Sequence, residues 1–240
     1  MSIQENTIIG ELVAEHYQTA SVFKSFKIDF CCNGNRSILE ACEQKGIDVQ
    51  QVLKKLNDLS FNQNEGEIDF NSWDLDLLAE YIQKKHHRYV IKTIPELSLY
   101  LKKVAAVHGE HHPELLEIRD LFLASAEELS AHLHKEENIV FPFIKYMIEK
   151  ENGTLEPPFF GELKNPIDCM KEEHNNEGVR FRKIAELSDN YTPPAEACNT
   201  YKVSFAMLKE FEEDLHKHIH LENNILFPKA IELEKELQFV

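Results

Sequence analysis

The chain is 240 residues long, enough for one large domain or for a small and a medium one whose cores need no disulfide support. Hydrophobic residues make up 42% and charged residues 28%, the balance of a soluble globular protein, and no apolar run approaches the roughly 20 residues that span a bilayer. A net charge of −16 repels phosphate backbones and anionic surfaces, so neither nucleic acid nor a membrane is expected as a partner.

The opening Met1-Ser-Ile-Gln-Glu5 has neither the basic region nor the apolar stretch of a signal peptide, which points to a cytoplasmic location. Residues 1–60 read as a small helical domain. Ile8, Ile9, Leu12 and Val13 form one apolar stripe, and Val22, Phe23 and Phe26 form another. Asp29-Phe-Cys-Cys-Asn-Gly34 reads as a turn, with Asn33 and Gly34 supplying positive φ. Ser37 caps a helix running to Gly46, and Asp48 caps another through Leu59. Residues 61–73 begin polar and aperiodic and are read as a linker.

From residue 74 to 240 the pattern is long helix. The first runs from Asp74 to about His108 with a kink at Pro95; the second opens at Pro113 and ends near Lys150. A connection carrying Asn152-Gly153 and Pro157-Pro158 leads to a third helix, Pro166 to Ser188, and Thr192-Pro-Pro194 precedes a fourth, Ala195 to about Leu237. No alternating β pattern of useful length is present, so the fold class is all-α, a small N-terminal helical domain followed by an up-down four-helix bundle.

The bundle carries a duplicated motif. His132-Leu-His-Lys-Glu136-Glu-Asn-Ile-Val-Phe-Pro142 recurs as His218-Ile-His-Leu-Glu222-Asn-Asn-Ile-Leu-Phe-Pro228, 86 residues on. In each copy an imidazole and a carboxylate at i and i+4 share one helix face. His87 precedes the first pair by 45 residues and His174 the second by 44, about one helix, a turn and an antiparallel partner. His86 is not separated from His87 by spacing; Ile91, Ile94 and Glu80 are taken to place His87 on the core stripe. Four histidines and two glutamates would then converge in the core, a nitrogen and oxygen set suited to two iron ions. With Glu136 and Glu222 bridging and an oxide or hydroxide between the metals, roughly 10 of 12 octahedral positions are filled, leaving about one per metal for a small ligand. His134, His216 and His220 point away from this core, Glu137 is read as solvated, and His108, His111 and His112 as a solvated turn. Proline inside a helix costs about 3 kcal/mol or more, so Pro142 and Pro228 are read as kinks.

Five cysteines without a C-x-x-C pair give no disulfide framework and no zinc ribbon, and reduced thiols are expected. Cys31 and Cys32 are adjacent, outside the bundle, and at an Asn-Gly turn that would expose them; their role stays open between structure and thiol chemistry.

On Asp29-Phe-Cys31-Cys32-Asn-Gly34, both His-x-x-x-Glu pairs with their Phe-Pro tails, Pro193-Pro194-Ala-Glu-Ala-Cys198 and Leu221-Glu222-Asn-Asn, nearly the whole chain resembles the di-iron RIC family of iron-sulfur cluster repair proteins. Residues from about 74 to 236 resemble hemerythrin-like domains. The resemblance implies a non-haem di-iron centre with His87, His132, Glu136, His174, His218 and Glu222 as ligands. It also implies repair of clusters damaged by nitrosative or oxidative stress, by donating or mobilising iron. Damaged iron-sulfur proteins or cluster-assembly proteins would be partners, nitric oxide and dioxygen small ligands, and Cys31 and Cys32 candidate functional thiols; a homodimer stays open. Oxygen-carrying hemerythrins typically place a second histidine four residues after the position of His174, where this chain has Gly178, which weighs against a reversible oxygen carrier. The competing expectations are a nitric oxide reductase and a dioxygen or nitric oxide sensor.

Overall fold

In the computed structural model, residues 3–59, 68–150 and 161–237 are described. The polar stretch 61–67 and the connection bearing Asn152-Gly153 and Pro157-Pro158 lie outside them. Four short helices come first: α1 (Ile9–Glu15), α2 (Thr19–Ser25), α3 (Ile38–Lys45) and α4 (Val49–Asn57). The caps of α3 and α4 follow from side-chain chemistry. Ser37 and Glu40 form a reciprocal capping box, Gly46 closes α3 at φ 64°, and Asp48 accepts the amide of Gln50. Residues 70–73 of the expected linker are packed: a turn over Phe70–Ser72 sets Phe70 and Trp73 against Tyr81 at ring separations of 5.1 and 5.3 Å.

Four long rods follow. The first joins α5 (Leu75–Ile82) to α6 (Arg88–His108), the second joins α7 (Glu114–Lys135) to α8 (Phe141–Glu149), the third is α9 (Lys164–Leu187), and the fourth joins α10 (Asn199–Leu221) to α11 (Phe227–Glu236). Successive rods pack side by side and the fourth closes on the first, as α6 meets α7, α7 meets α9, and α10 meets both α9 and α6. Helix α6 continues through Pro95. Three rods are interrupted by a π turn, at Gln83–His87, Glu136–Val140 and Glu222–Leu226. Pro142 and Pro228 therefore stand in the first turn of α8 and α11, directly after a widened turn where the i→i−4 ladder has already slipped. Among the described residues the single β feature is an isolated bridge between Ile8 and Ser37, and no helix is long and apolar enough to cross a membrane.

The N-terminal helices share a continuous apolar core with the bundle. Ile9, Phe23, Ile38 and Leu56 belong to the same buried cluster as Phe122, Phe181, Phe205 and Phe211. Two glycines lie against the bundle, where a Cβ on Gly10 would come 2.5 Å from Asn224 Oδ1. Gly10 donates to the Gly34 carbonyl at 2.7 Å, and a Cβ on Gly34 would lie 2.4 Å from the Phe30 carbonyl and 3.1 Å from Asn224 Oδ1. Asn33 and Gly34 do not adopt the positive φ expected of them; Gly34 is required by proximity instead.

Replacing Gly34 by alanine should therefore cost about 1–3 kcal/mol through overpacking. Gly46→Ala, with nothing within 4 Å of its Cβ, should cost only the roughly 1–2 kcal/mol of left-handed backbone. Denaturant unfolding measures both; a Gly34→Ala protein of unchanged stability would mean that the loop shifts to accept a methyl group.

Candidate metal centre

The π turns position the site. Each shared glutamate opens one: the Glu136 carbonyl accepts the Phe141 amide and the Glu222 carbonyl accepts the Phe227 amide, five residues on. The phenylalanine preceding each proline then stacks on the lone histidine of its own half, Phe141 on His87 at 5.5 Å and Phe227 on His174 at 6.1 Å. The third π turn ends at His87 and shifts the helix face by about one residue, or about 100°. The core stripe is consequently Leu78, Ile82, Val90 and Leu97, whereas Ile91 and Glu80 face solvent. Of the neighbours used to select His87, Ile94 packs partly against the core but Ile91 and Glu80 do not carry that choice, although His87 does face the site. His86 is also buried, but its Nδ1 is 3.0 Å from Asp214 and its ring stacks on His218.

The six residues meet in two buried groups, His87, Glu136, His218 and Glu222 in one, and His132, Glu136, His174 and Glu222 in the other. Within each, one ligand atom per residue lies within 4.8 Å of the others. Each glutamate turns one oxygen to either side. Glu136 Oε2 is 3.4 Å from His87 Nε2 and Oε1 is 3.3 Å from His132 Nε2; Glu222 Oε1 is 2.9 Å from His218 Nε2 and Oε2 is 3.2 Å from His174 Nε2. His132 Nε2 and His174 Nε2 are 3.0 Å apart.

This donor set fits a pair of cations. His87 Nε2, both Glu136 oxygens and Glu222 Oε2 are buried without a hydrogen bond, a costly state for charged groups with no other partner. Burial and Glu222 push the Glu136 carboxyl up, but His132 and His87 draw it down to about 2. Burial lowers both imidazoles, but Glu136 and Glu222 raise His87, and Glu136, Glu173 and Glu222 raise His132, each to about 10. The pocket is thus strongly polarised, with anionic oxygens between imidazoles.

Three of the four imidazoles are held from behind at Nδ1. Glu137 lies 2.8 Å from His87, Glu173 lies 2.7 Å from His132 and is itself paired with Lys135, and Asn223 lies 3.0 Å from His174. These residues fix which nitrogen faces the metal and raise its basicity. Glu137, expected to be solvated, is one of them. Sequence reasoning passed over all three, although the duplication held a signal: Glu137 and Asn223 each follow the shared glutamate of their repeat.

The N-terminal domain closes one side. Cys31 is buried and Cys32 half-buried, in contrast to the exposed pair expected at a turn, because the chain folds back on α9 and α10. The Cys32 thiol donates to the His174 carbonyl at 3.3 Å, and a Cβ at Gly178 would come within 3.2 Å of that sulfur. The missing side chain at residue 178 therefore makes room for a thiol. The hydrogen bond to Cys32, burial and the Asp29 carboxylate push the Cys31 thiol well above its ordinary range. Asp29 accepts the Cys31 and Cys32 amides and also pairs with Arg182. His220 is buried beneath Tyr17 and Phe30, and His216 lies half-buried at the Phe30 edge, while His134 is exposed. At the other end of α6, His108 Nε2 lies 3.3 Å from Cys198 Sγ and His112 pairs with Glu114.

Removing the charge behind His132 should weaken the site without dismantling it. Glu173→Gln is expected to lower metal affinity about 10- to 100-fold, read by titrating ferrous iron into metal-free protein. Wild-type affinity would show that Glu173 serves Lys135 alone.

Comparison with known proteins agrees with this geometry. Residues 78–230 match the family model described as the hemerythrin HHE cation binding domain, and residues 5–60 match one described as a domain of unknown function (DUF542). The chain is 32% identical over 227 residues to the iron-sulfur cluster repair protein ScdA of Staphylococcus haemolyticus, covering 95% of this chain and 99% of that one. It is 33% identical over 226 residues to the iron-sulfur cluster repair protein YtfE of Yersinia pseudotuberculosis, covering 94% and 97%. With full-length relatives of this kind and a hemerythrin-type di-metal site in its bundle, the chain belongs to the ScdA/YtfE family of iron-sulfur cluster repair proteins.

Proposed function

We propose that this protein holds two non-haem irons and uses them to restore iron-sulfur clusters damaged by nitrosative or oxidative stress, by donating or mobilising iron. The observation that carries the reading is the pair of carboxylates, Glu136 and Glu222, each turned to both histidine groups. His87 and His218 would hold one iron, His132 and His174 the other, with both glutamates and an oxide or hydroxide bridging. Mixed imidazole and carboxylate donors suit a first-row transition metal, and carboxylates shared between two ions favour iron. When bound, the pair supplies exchangeable iron and reactivity toward nitric oxide and dioxygen. The chain's own part is positional: Glu137, Glu173 and Asn223 aim the imidazoles, Phe141 and Phe227 hold two of them flat, and the Cys31–Cys32 segment keeps bulk water from one side. The clients are damaged iron-sulfur proteins or cluster-assembly proteins, in a cytoplasm where all five thiols stay reduced.

Metal analysis with Mössbauer spectroscopy, followed by reactivation of a nitric-oxide-damaged iron-sulfur enzyme, tests this directly. Two coupled irons per chain and recovered client activity are expected; one zinc per chain would sink the proposal. Turnover of nitric oxide to nitrous oxide without client recovery would move the assignment to a nitric oxide reductase. Glu136→Ala and Glu222→Ala should each lose more iron than His87→Ala, because a bridging carboxylate touches both metals and a terminal imidazole one. Equal loss in the three variants would count against bridging.

A further inference from the structure

The duplicated halves differ in the residue that follows the shared glutamate. In the first repeat the residue after the shared glutamate is Glu137, whose carboxylate meets His87 Nδ1 at 2.8 Å. In the second it is Asn223, whose Oδ1 meets His174 Nδ1 at 3.0 Å. An amide has a second, donating end, and here Nδ2 donates to the Cys31 carbonyl at 3.1 Å. A glutamate or aspartate at this position would place a second acceptor against that carbonyl and repel it. The next residue repeats the contrast. Asn138 turns back to His134 of its own helix, whereas Asn224 meets both His220 and the Phe30 carbonyl. The N-terminal domain lies on the second repeat, where both side chains donate to its carbonyls.

We infer that Asn223 is a positioning residue that ties the Cys31–Cys32 segment to the His174 imidazole, so that the metal position between His132 and His174 is the one coupled to the N-terminal domain. This rests on the di-iron reading above. His174 is gripped from that side twice, at Nδ1 through Asn223 and at its backbone carbonyl by the Cys32 thiol, and Gly178 leaves the space in which this grip forms. Among the described residues His87, its counterpart, is held by groups of the bundle, Glu137 and Phe141. If the Cys31–Cys32 segment lifts, as when a client engages it, Asn223 loses one of the two anchors that set its rotamer and His174 loses its fixed orientation. The amide thus orients His174 without bringing the charge that Glu137 places behind His87.

The test uses the full-length, iron-loaded protein and its Asn223→Asp, Asn223→Ala and Asn224→Ala variants. Mössbauer spectra report each iron, and hydrogen exchange of residues 29–34, in loaded and metal-free protein, reports docking. Asn223→Asp keeps the acceptor for His174 and loses the donor for Cys31. It should keep two irons but raise exchange at 29–34 about tenfold or more. Asn223→Ala loses both, and should also alter one iron's signal and speed its release to a chelator about 10- to 100-fold. Asn224→Ala should loosen the segment while leaving both iron signals in place. Asn223→Asp with unchanged exchange, or Asn223→Ala affecting both irons equally or neither, overturns the inference. Should Asn223→Ala not fold, the Asn223→Asp exchange result decides. A wild-type protein without paired irons would instead remove the di-iron reading itself.

Discussion

Two carboxylates with no solvent exposure govern this structure. Moving one such charge from water to a protein interior costs several kcal/mol even after relaxation, and two lying together repel. Glu136 and Glu222 can therefore stay ionised only if positive charge is built around them. In the metal-free pocket His87 and His132 can supply part of it by holding a proton, and a pair of cations would supply it instead when bound, with the imidazoles neutral as ligands. Most of the irregular features of the bundle serve this arrangement. The π turns aim the glutamates, the Phe-Pro dipeptides follow where the helical ladder has slipped, and the acidic residues behind the histidines hold the rings to one tautomer.

The internal repeat builds two nearly equal half-sites, and the N-terminal domain makes them unequal. Its helices bury His220 and the His216 edge, and bring Cys32 against α9, while the matching face at His134 and Asn138 remains in water. Packing through a shared core is a stronger tie than a linker between independent domains implies. Phe23 and Phe30 belong to the same apolar cluster as Phe181 and Phe211. A contact of that size fixes the register in which the finer hydrogen bonds of Asn223 and Asn224 form.

Much of the fold was legible because it rests on local chemistry: Ser37, Gly46 and Asp48 mark helix ends without tertiary help. Five candidate site residues, His132, Glu136, His174, His218 and Glu222, stood out because the duplication repeats them at matched spacing, whereas spacing could not tell His87 from His86. What escaped were effects of register and of long-range contact. A π turn adds a residue to a helix that periodicity assumes regular, so Ile91 seemed inward beside His87 and is exposed. Glu137 and Glu173 look like ordinary surface acids in sequence, because the nitrogen each one meets belongs to a different rod. Cys31 and Cys32 looked exposed at a turn because nothing local reveals that the turn folds onto α9. Gly178, read as a missing ligand, is also a space kept for Cys32, which only two segments 146 residues apart could disclose.

The way the imidazoles are backed bears on how firmly metal would be held. A carboxylate behind a histidine raises its basicity; an amide does so less, and an unpartnered Nδ1 not at all. Each group pairs one strongly backed ring with one weakly backed ring: His87 on Glu137 with His218, whose Nδ1 has no hydrogen bond, and His132 on Glu173 with His174 on Asn223. A site built only for permanence would gain from four carboxylate-backed rings. Graded donors within each pocket would keep one anchor on each metal while leaving the other imidazole easier to displace. Retention and release can then coexist in one buried site, a combination that iron donation requires and that burial alone would oppose.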